Sequence, residues 1–91
     1  MNIRRTTVFT IKGRVQGVYF RVSIQRAANI AGFSGYIKNL SNGDVEVGVY
    51  CKDENLEKFV KILEKGSQNS KIQSISKTLS KEILDKGFEI R

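Results

Sequence analysis

The residues best suited to chemistry lie in one short segment, residues 13–21. Gly13 and Gly17 bracket a loop there, and Arg14 and Arg21 flank it. Backbone N–H groups of a glycine-containing loop that feeds a helix point toward an anion, and the helix dipole adds positive potential. An arginine adds a fixed fork of donors that suits phosphate oxygens. The segment is predicted to bind an anion such as phosphate; the alternative is a plain strand–helix connection with glycines for its turns.

The rest of the composition excludes several kinds of catalytic mechanism. The chain has no histidine, which excludes the commonest general base and the serine–histidine and cysteine–histidine arrangements. No Asp or Glu precedes position 44, and the two loop glycines do not have Walker A spacing. Catalysis would then depend on positioning and charge stabilisation, for a substrate whose leaving group needs no proton. A mixed anhydride of a carboxylic acid and phosphate is such a substrate.

The positive charge is concentrated in the half of the chain that contains this loop. The formal net charge is +7, and residues 1–43 carry seven basic and no acidic residues, whereas residues 44–91 are neutral overall. Such an imbalance favours an anionic ligand, either nucleic acid or a small phosphate. A solvated basic surface that keeps a small domain soluble is the simpler interpretation.

Length and composition predict one domain over residues 1–91 with a modest core. No apolar run approaches the ~20 residues of a membrane-spanning helix, and the first five residues lack the apolar stretch of a secretory signal. The single cysteine, Cys51, has no disulfide partner and is expected to be a small, half-buried strand residue. We expect a cytoplasmic protein with no cofactor, no metal and no membrane contact.

The elements that must position the loop follow from periodicity. Two-residue alternation predicts strands over residues 6–12, 33–40, 45–52 and, more weakly at a sheet edge or bulge, 72–79. Asn42-Gly43 predicts a hairpin between the second and third strands. Apolar spacing of i, i+3, i+4 and i+7 predicts two helices. The first covers residues 22–31 and ends at Gly32. The second follows the third strand; Asp53 is expected to be its N-cap and Lys65 to lie at its end.

The predicted order is β-α-β-β-α-β, and residues 87–91 allow a short additional strand at the C-terminus. This order predicts an α+β fold, the ferredoxin-like two-layer α/β sandwich, with both helices on one face of a mostly antiparallel sheet. That fold hosts enzymes, nucleic-acid binders and regulatory modules, so it does not decide function.

Two motifs resemble those of a known family. Residues 13–21, Gly-Arg-Val-Gln-Gly-Val-x-Phe-Arg, resemble the signature of the acylphosphatases. Residues 32–39, Gly-Phe-x-Gly-Tyr-Ile-Lys-Asn, followed by Asn-Gly-Asp-Val-Glu at 42–46, resemble the second family motif. The resemblance covers nearly the whole chain and is poorest over residues 67–86. It implies a small, monomeric, metal-independent hydrolase that converts an acyl phosphate to a carboxylate and inorganic phosphate.

The resemblance also implies roles for individual residues. Arg21 matches the family's phosphate-binding arginine, and Asn39 matches the asparagine that orients the attacking water. The backbone amides of the loop are expected to cradle the phosphate oxygens, and these substrate-binding residues are Val15, Gln16, Gly17, Val18, Tyr19 and Phe20. Arg14 is expected to add supporting charge or to staple the loop.

Two other functions remain open at this level. An RNA-binding module on the same fold needs aromatic side chains on the outer face of the central strands. The outward positions here are Glu46, Gly48 and Tyr50 on one strand and Val8, Thr10 and Lys12 on another, so nucleic acid is not expected. The second is a non-catalytic or domain-type relative, such as the acylphosphatase-like domain of the hydrogenase-maturation carbamoyl-transfer proteins.

Overall fold

The computed structural model describes residues 3–17 and 19–91, and over that range the elements follow the predicted order with the additional C-terminal strand. They are β1 (Arg4–Arg14), α1 (Phe20–Ile30), β2 (Ser34–Asn39), β3 (Val45–Lys52), α2 (Asp53–Lys65), β4 (Lys71–Ser80) and β5 (Phe88–Ile90). No helix in the described chain is long and apolar enough to cross a membrane.

The strands form one five-stranded sheet in the order β4-β1-β3-β2-β5. Neighbouring strands are antiparallel except β2 and β5, which run parallel. β1 therefore lies inside the sheet, with β3 and β4 on either side. Because β1 ends at Arg14 and β2 ends at Asn39, both predicted functional segments leave the same end of the sheet. The mostly antiparallel sheet and its extra strand are confirmed.

One face of the sheet packs against both helices. The predicted inward residues of β3 are all buried, and these are Val45, Val47, Val49 and Cys51. The helices contribute Ile24 and Ala28 from α1 and Phe59 and Leu63 from α2 to the same core. The Phe59 ring lies near three others, with centroid distances of 5.1–6.0 Å to Phe33, Phe88 and Phe9. This is the predicted two-layer ferredoxin-like sandwich.

Cys51 is more buried than the sequence suggested. It lies in the core cluster with 5% of its surface exposed. Burial, together with the charge of Asp53, raises the pKa of its thiol. Because the thiolate is the nucleophilic form, the site does not favour reactivity, and Cys51 is a packing residue as expected.

The end of α1 follows the prediction closely. Gly32 has a φ of +83°, and its N–H donates to the Asn29 carbonyl while the N–H of Phe33 donates to the Ala28 carbonyl. These two bonds form a Schellman motif, in which a left-handed residue satisfies the last carbonyl groups of the helix. The motif turns the chain directly into β2 and so fixes the position of that strand beneath α1.

The start of α2 corrects a prediction. Asp53 was expected to cap the helix, but it is the first helical residue; the cap position is Lys52, which is extended and makes no side-chain capping bond. The helix begins at the residue after β3 ends, so no turn separates the two elements. Asp53 instead places negative charge in the first turn, where the helix dipole favours it.

β4 is the weak edge strand that its poor alternation predicted. Its pairing with β1 shifts register at Lys12 and Gly13, where Gln73 is an extra residue on β4. Beyond β4, residues 81–87 lead to the opposite edge of the sheet, held by a hydrogen bond from the Thr6 hydroxyl to the Glu82 carbonyl and by the buried Leu84. The connection between β4 and β5 is therefore a crossing segment rather than a tight turn.

Candidate active site

The loop between β1 and α1 is anchored at both ends by core residues. Val15 and Phe20 are each 1% exposed, whereas Gly17 and Tyr19 between them are exposed. Val18 lies outside the described residues, so its predicted role stays a prediction. Burial of apolar side chains on either side holds a short segment of backbone at the surface, where its amides are accessible to a ligand.

Gly17 explains why this segment needs a glycine. Its φ is +70°, a left-handed conformation that other residues adopt only with strain, and no atom lies within 4 Å of where a Cβ would be. The backbone, not crowding by neighbours, therefore requires glycine here. The open space beside it leaves room for a ligand to approach the main chain.

The N-terminus of α1 carries no negatively charged side chain. Its first turn contains no acidic residue, and Tyr19 at the cap position makes no side-chain capping bond. Arg21, the second helical residue, is half-buried and pairs with no carboxylate among residues 3–17 and 19–91. A positive charge at the positive end of a helix dipole is unfavourable by ~0.3–1 kcal/mol unless an anion is bound.

Arg21 and the loop enclose one depression of about 400 Å³. It brings together the predicted residues Arg21, Val15, Gly17, Tyr19 and Phe20, and Val22 completes its lining. The lining thus combines loop backbone, an arginine and the N-terminal end of a helix. That combination suits a small oxyanion such as phosphate.

Asn39 lies at the end of β2, opposite Val45 in the sheet register. Residues directly opposite each other on antiparallel strands share a face, so Asn39 points to the helix-covered side. Its Oδ1 atom is buried and has no hydrogen-bond partner among the described residues. Leaving such an acceptor unpaired costs about 1–3 kcal/mol, so an orphan of this kind calls for a functional explanation.

The side chain of Gln16 connects the loop to the segment that carries Asn39. Its Nε2 donates to the Leu40 carbonyl at 2.8 Å and to the Asp44 carbonyl at 2.8 Å. The β2–β3 hairpin is thereby fixed against the loop one residue beyond Asn39. The sequence predicted only a backbone role for Gln16 and missed this tether, because main-chain carbonyls 24 and 28 residues away leave no pattern in the sequence.

The structure therefore brings the predicted residues together in two groups. Five of them line the depression. Asn39 is not part of its lining, and Gln16 ties the loop to the hairpin that follows Asn39. Arg14 is exposed and lines a different depression together with Lys12 and Lys71. Within the described chain, no group of three or more acidic, cysteine or histidine side chains is arranged to hold a metal ion.

Comparisons with known proteins agree with this fold. The family model described as Acylphosphatase matches residues 7–90. An acylphosphatase from Colwellia psychrerythraea is 48% identical over 65 residues, 71% of this chain and 73% of that protein. One from Alkalilimnicola ehrlichii is 37% identical over 82 residues, 90% and 92% of the two chains. The crystal structure of acylphosphatase from Bacillus subtilis matches with a TM-score of 0.86 at 32% identity, covering 98% of this chain and 99% of that one.

These matches confirm the resemblance drawn from the two sequence motifs, the ferredoxin-like fold and the expected enzyme class. They extend well beyond the motifs and include residues 67–86, where the sequence resemblance was poorest. By its sequence and its fold, this chain belongs to the acylphosphatase family.

Proposed function

We propose that this chain hydrolyses acyl phosphates, with Arg21 and the amides of residues 15–20 holding the phosphate and Asn39 orienting the attacking water. The observation that carries the proposal is the depression at the N-terminus of α1. Arg21 and the loop residues line that depression together, at a helix end that has no acidic residue in its first turn. The substrate is a small-molecule acyl phosphate, and the products are a carboxylate and inorganic phosphate.

Phosphate binding uses charge and geometry together. The Arg21 fork donates to two phosphate oxygens, and the loop amides donate to the others. In the transition state of phosphoryl transfer, negative charge spreads over these oxygens, so the same donors stabilise it without having to reorganise. The half-buried position of Arg21 strengthens its interaction with the phosphate relative to one in bulk water.

Water activation uses an amide rather than a base. Asn39 Oδ1 accepts a hydrogen bond from the water, which turns an oxygen lone pair toward phosphorus. As the new P–O bond forms, the bond to the acyl oxygen breaks and its electron pair leaves with the carboxylate. The leaving group needs no proton, and the protons of the water remain on the phosphate product. No covalent intermediate, metal or cofactor takes part.

The RNA-binding alternative finds no support on the described open face of the sheet. The side chains of Glu46 and Tyr50 point outward as predicted, but the Tyr36 ring is already covered by the Arg91 guanidinium, 4.1 Å from its centroid. The Tyr36 hydroxyl donates to Glu46 Oε2 at 2.8 Å. An aromatic ring engaged on its face and at its hydroxyl is a poor platform for stacking bases.

We further propose that the chain acts as a single-domain, cytoplasmic monomer. The monomer is what the resemblance to the acylphosphatases implies. A buried thiol without a disulfide partner suits a reducing compartment.

The test is hydrolysis of benzoyl phosphate, with a chelator present, by the wild type and by Arg21→Ala. Arg26→Ala is the matched control, because Arg26 is an exposed arginine farther along the same helix. We expect metal-independent turnover in the wild type and in Arg26→Ala, and its loss in Arg21→Ala. Absence of turnover in a folded wild type, or equal turnover in all three proteins, would overturn the proposal.

A further inference from the structure

Tyr19 combines an unfavourable backbone with an exposed ring. Its φ is +59°, and among the described residues it is the one residue other than glycine with a positive φ. Left-handed backbone is rare for bulky side chains, and glycine would adopt it at no cost. The side chain is nevertheless 82% exposed, so it gains nothing from packing into the core. The cap position of α1 thus holds an aromatic ring where the backbone alone favours glycine.

The ring lies at the edge of the phosphate depression. Tyr19 lines that depression together with Arg21, and the half-buried Val22 adds a second apolar side chain to the lining. The phosphate itself needs neither apolar group. The part of an acyl phosphate that they suit is the acyl group.

The stereochemistry of the reaction puts the acyl group on the open side of the site. In phosphoryl transfer the attacking and leaving oxygens lie roughly in line across phosphorus. The water lies on the side of Asn39, whose Oδ1 is buried beneath the helices. The acyl oxygen must then leave on the opposite side, toward solvent, and Tyr19 is the lining residue of the depression that is 82% exposed to solvent.

We propose that the Tyr19 ring packs against the acyl group and makes the enzyme favour aromatic acyl phosphates over small aliphatic ones. This inference rests on the proposed function and adds a specificity-determining contact to it. A flat aromatic acyl group gains contact area and an offset or edge-to-face arrangement with the ring, whereas an acetyl group is too small to cover it. The contact uses the face of the ring and not the hydroxyl group.

The experiment compares kcat/KM for benzoyl phosphate and acetyl phosphate in the wild type and three variants. Tyr19→Gly and Tyr19→Asn both remove the ring while tolerating the left-handed backbone. Tyr19→Phe keeps the ring and removes only the hydroxyl group. We expect the benzoyl-to-acetyl ratio to fall about 3- to 10-fold in the first two variants, as for the loss of one aromatic contact, and to be retained in Tyr19→Phe.

Three results would overturn the inference. Unchanged kcat/KM for both substrates in Tyr19→Gly and Tyr19→Asn would mean that the acyl group lies elsewhere. Equal losses on both substrates would mean that Tyr19 serves the phosphate or the loop backbone and not the acyl group. In both cases the wild type still hydrolyses acetyl phosphate, so the proposed function stands. A wild type that hydrolyses neither substrate would overturn the proposed function and this inference together.

Discussion

The two helices of this protein begin in opposite ways. α2 carries Asp53 and Glu54 in its first turn and Lys65 in its last, so its own side chains complement both ends of the helix dipole. α1 has no acidic residue in its first turn and no basic residue in its last, and its second residue is Arg21. The two helices pack side by side on the same sheet, yet only α2 carries charged side chains that complement the dipole at both of its ends.

The difference shows that α1 depends on tertiary contacts, whereas α2 also carries charges that suit its own dipole. α1 is held in place by tertiary contacts, through its buried Phe20, Ile24 and Ala28. The Asn29 side chain adds two hydrogen bonds of 3.1 Å to the main chain of Phe88 in β5. These contacts compensate for the unfavourable N-terminus, which can then remain positive for an anionic ligand. Tyr19 has a left-handed backbone at the start of α1, and Asn39 has a buried acceptor without a partner among the described residues at the end of β2.

Placing an acidic residue in the first turn of α1, as in α2, should have the largest effect on activity. Arg21→Glu removes the phosphate ligand and adds charge that repels the substrate, so we expect kcat/KM to fall by at least about 10³-fold. The same change suits the helix dipole and should raise the free energy of unfolding by about 0.3–1 kcal/mol. Steady-state kinetics and urea denaturation of one preparation measure both. A variant that lost activity and stability together would show that Arg21 supports the fold instead.

A substitution at Asn39 tests whether water orientation is separate from phosphate binding. Asn39→Ala should lower kcat about 10²- to 10³-fold, as for the loss of one hydrogen bond in the transition state, while the inhibition constant of inorganic phosphate stays nearly constant. Asn42→Ala, in the exposed hairpin, is the control. If phosphate inhibition weakened as much as kcat, the water-orienting role would be wrong.

Inorganic phosphate should stabilise the protein only by binding at the N-terminus of α1. At a concentration of 100 times its dissociation constant, phosphate should raise the free energy of unfolding by about 2.7 kcal/mol. Thermal or urea denaturation of the wild type and of Arg21→Glu, with and without phosphate at constant ionic strength, measures the difference. Equal stabilisation of both proteins would place the phosphate elsewhere.

The smallest effect is expected at α2. Glu54→Gln removes one exposed charge from the first turn and should lower the free energy of unfolding by about 0.3–1 kcal/mol without changing kcat/KM. Glu64→Gln is the matched control, because it removes the same charge near the opposite end of the helix, where a small gain is expected. Urea denaturation at low salt compares the two. If Glu54→Gln raised the free energy of unfolding and Glu64→Gln lowered it, neighbouring charges would outweigh the helix dipole.

The sequence by itself determined the features that depend on residues close together in the chain. Alternation over residues 45–52 predicted which side of β3 is buried, and helical spacing predicted the packed faces of α1 and α2. Gly32 and the Asn42-Gly43 pair predicted a helix end and a hairpin, because left-handed backbone favours these residue types locally. The anion-binding loop was also predictable, since its glycines, its arginines and the following helix are contiguous.

Only the tertiary structure decided how these pieces meet. It made Asp53 a helical residue by joining β3 directly to α2, and it placed β5 parallel to β2 at the far edge of the sheet. It left Asn39 Oδ1 buried and without a partner among the described residues, and it tied Gln16 to carbonyls of the β2–β3 hairpin. Every residue carries the same main-chain carbonyl, and burial depends on segments distant in the chain, so local sequence patterns do not encode these features.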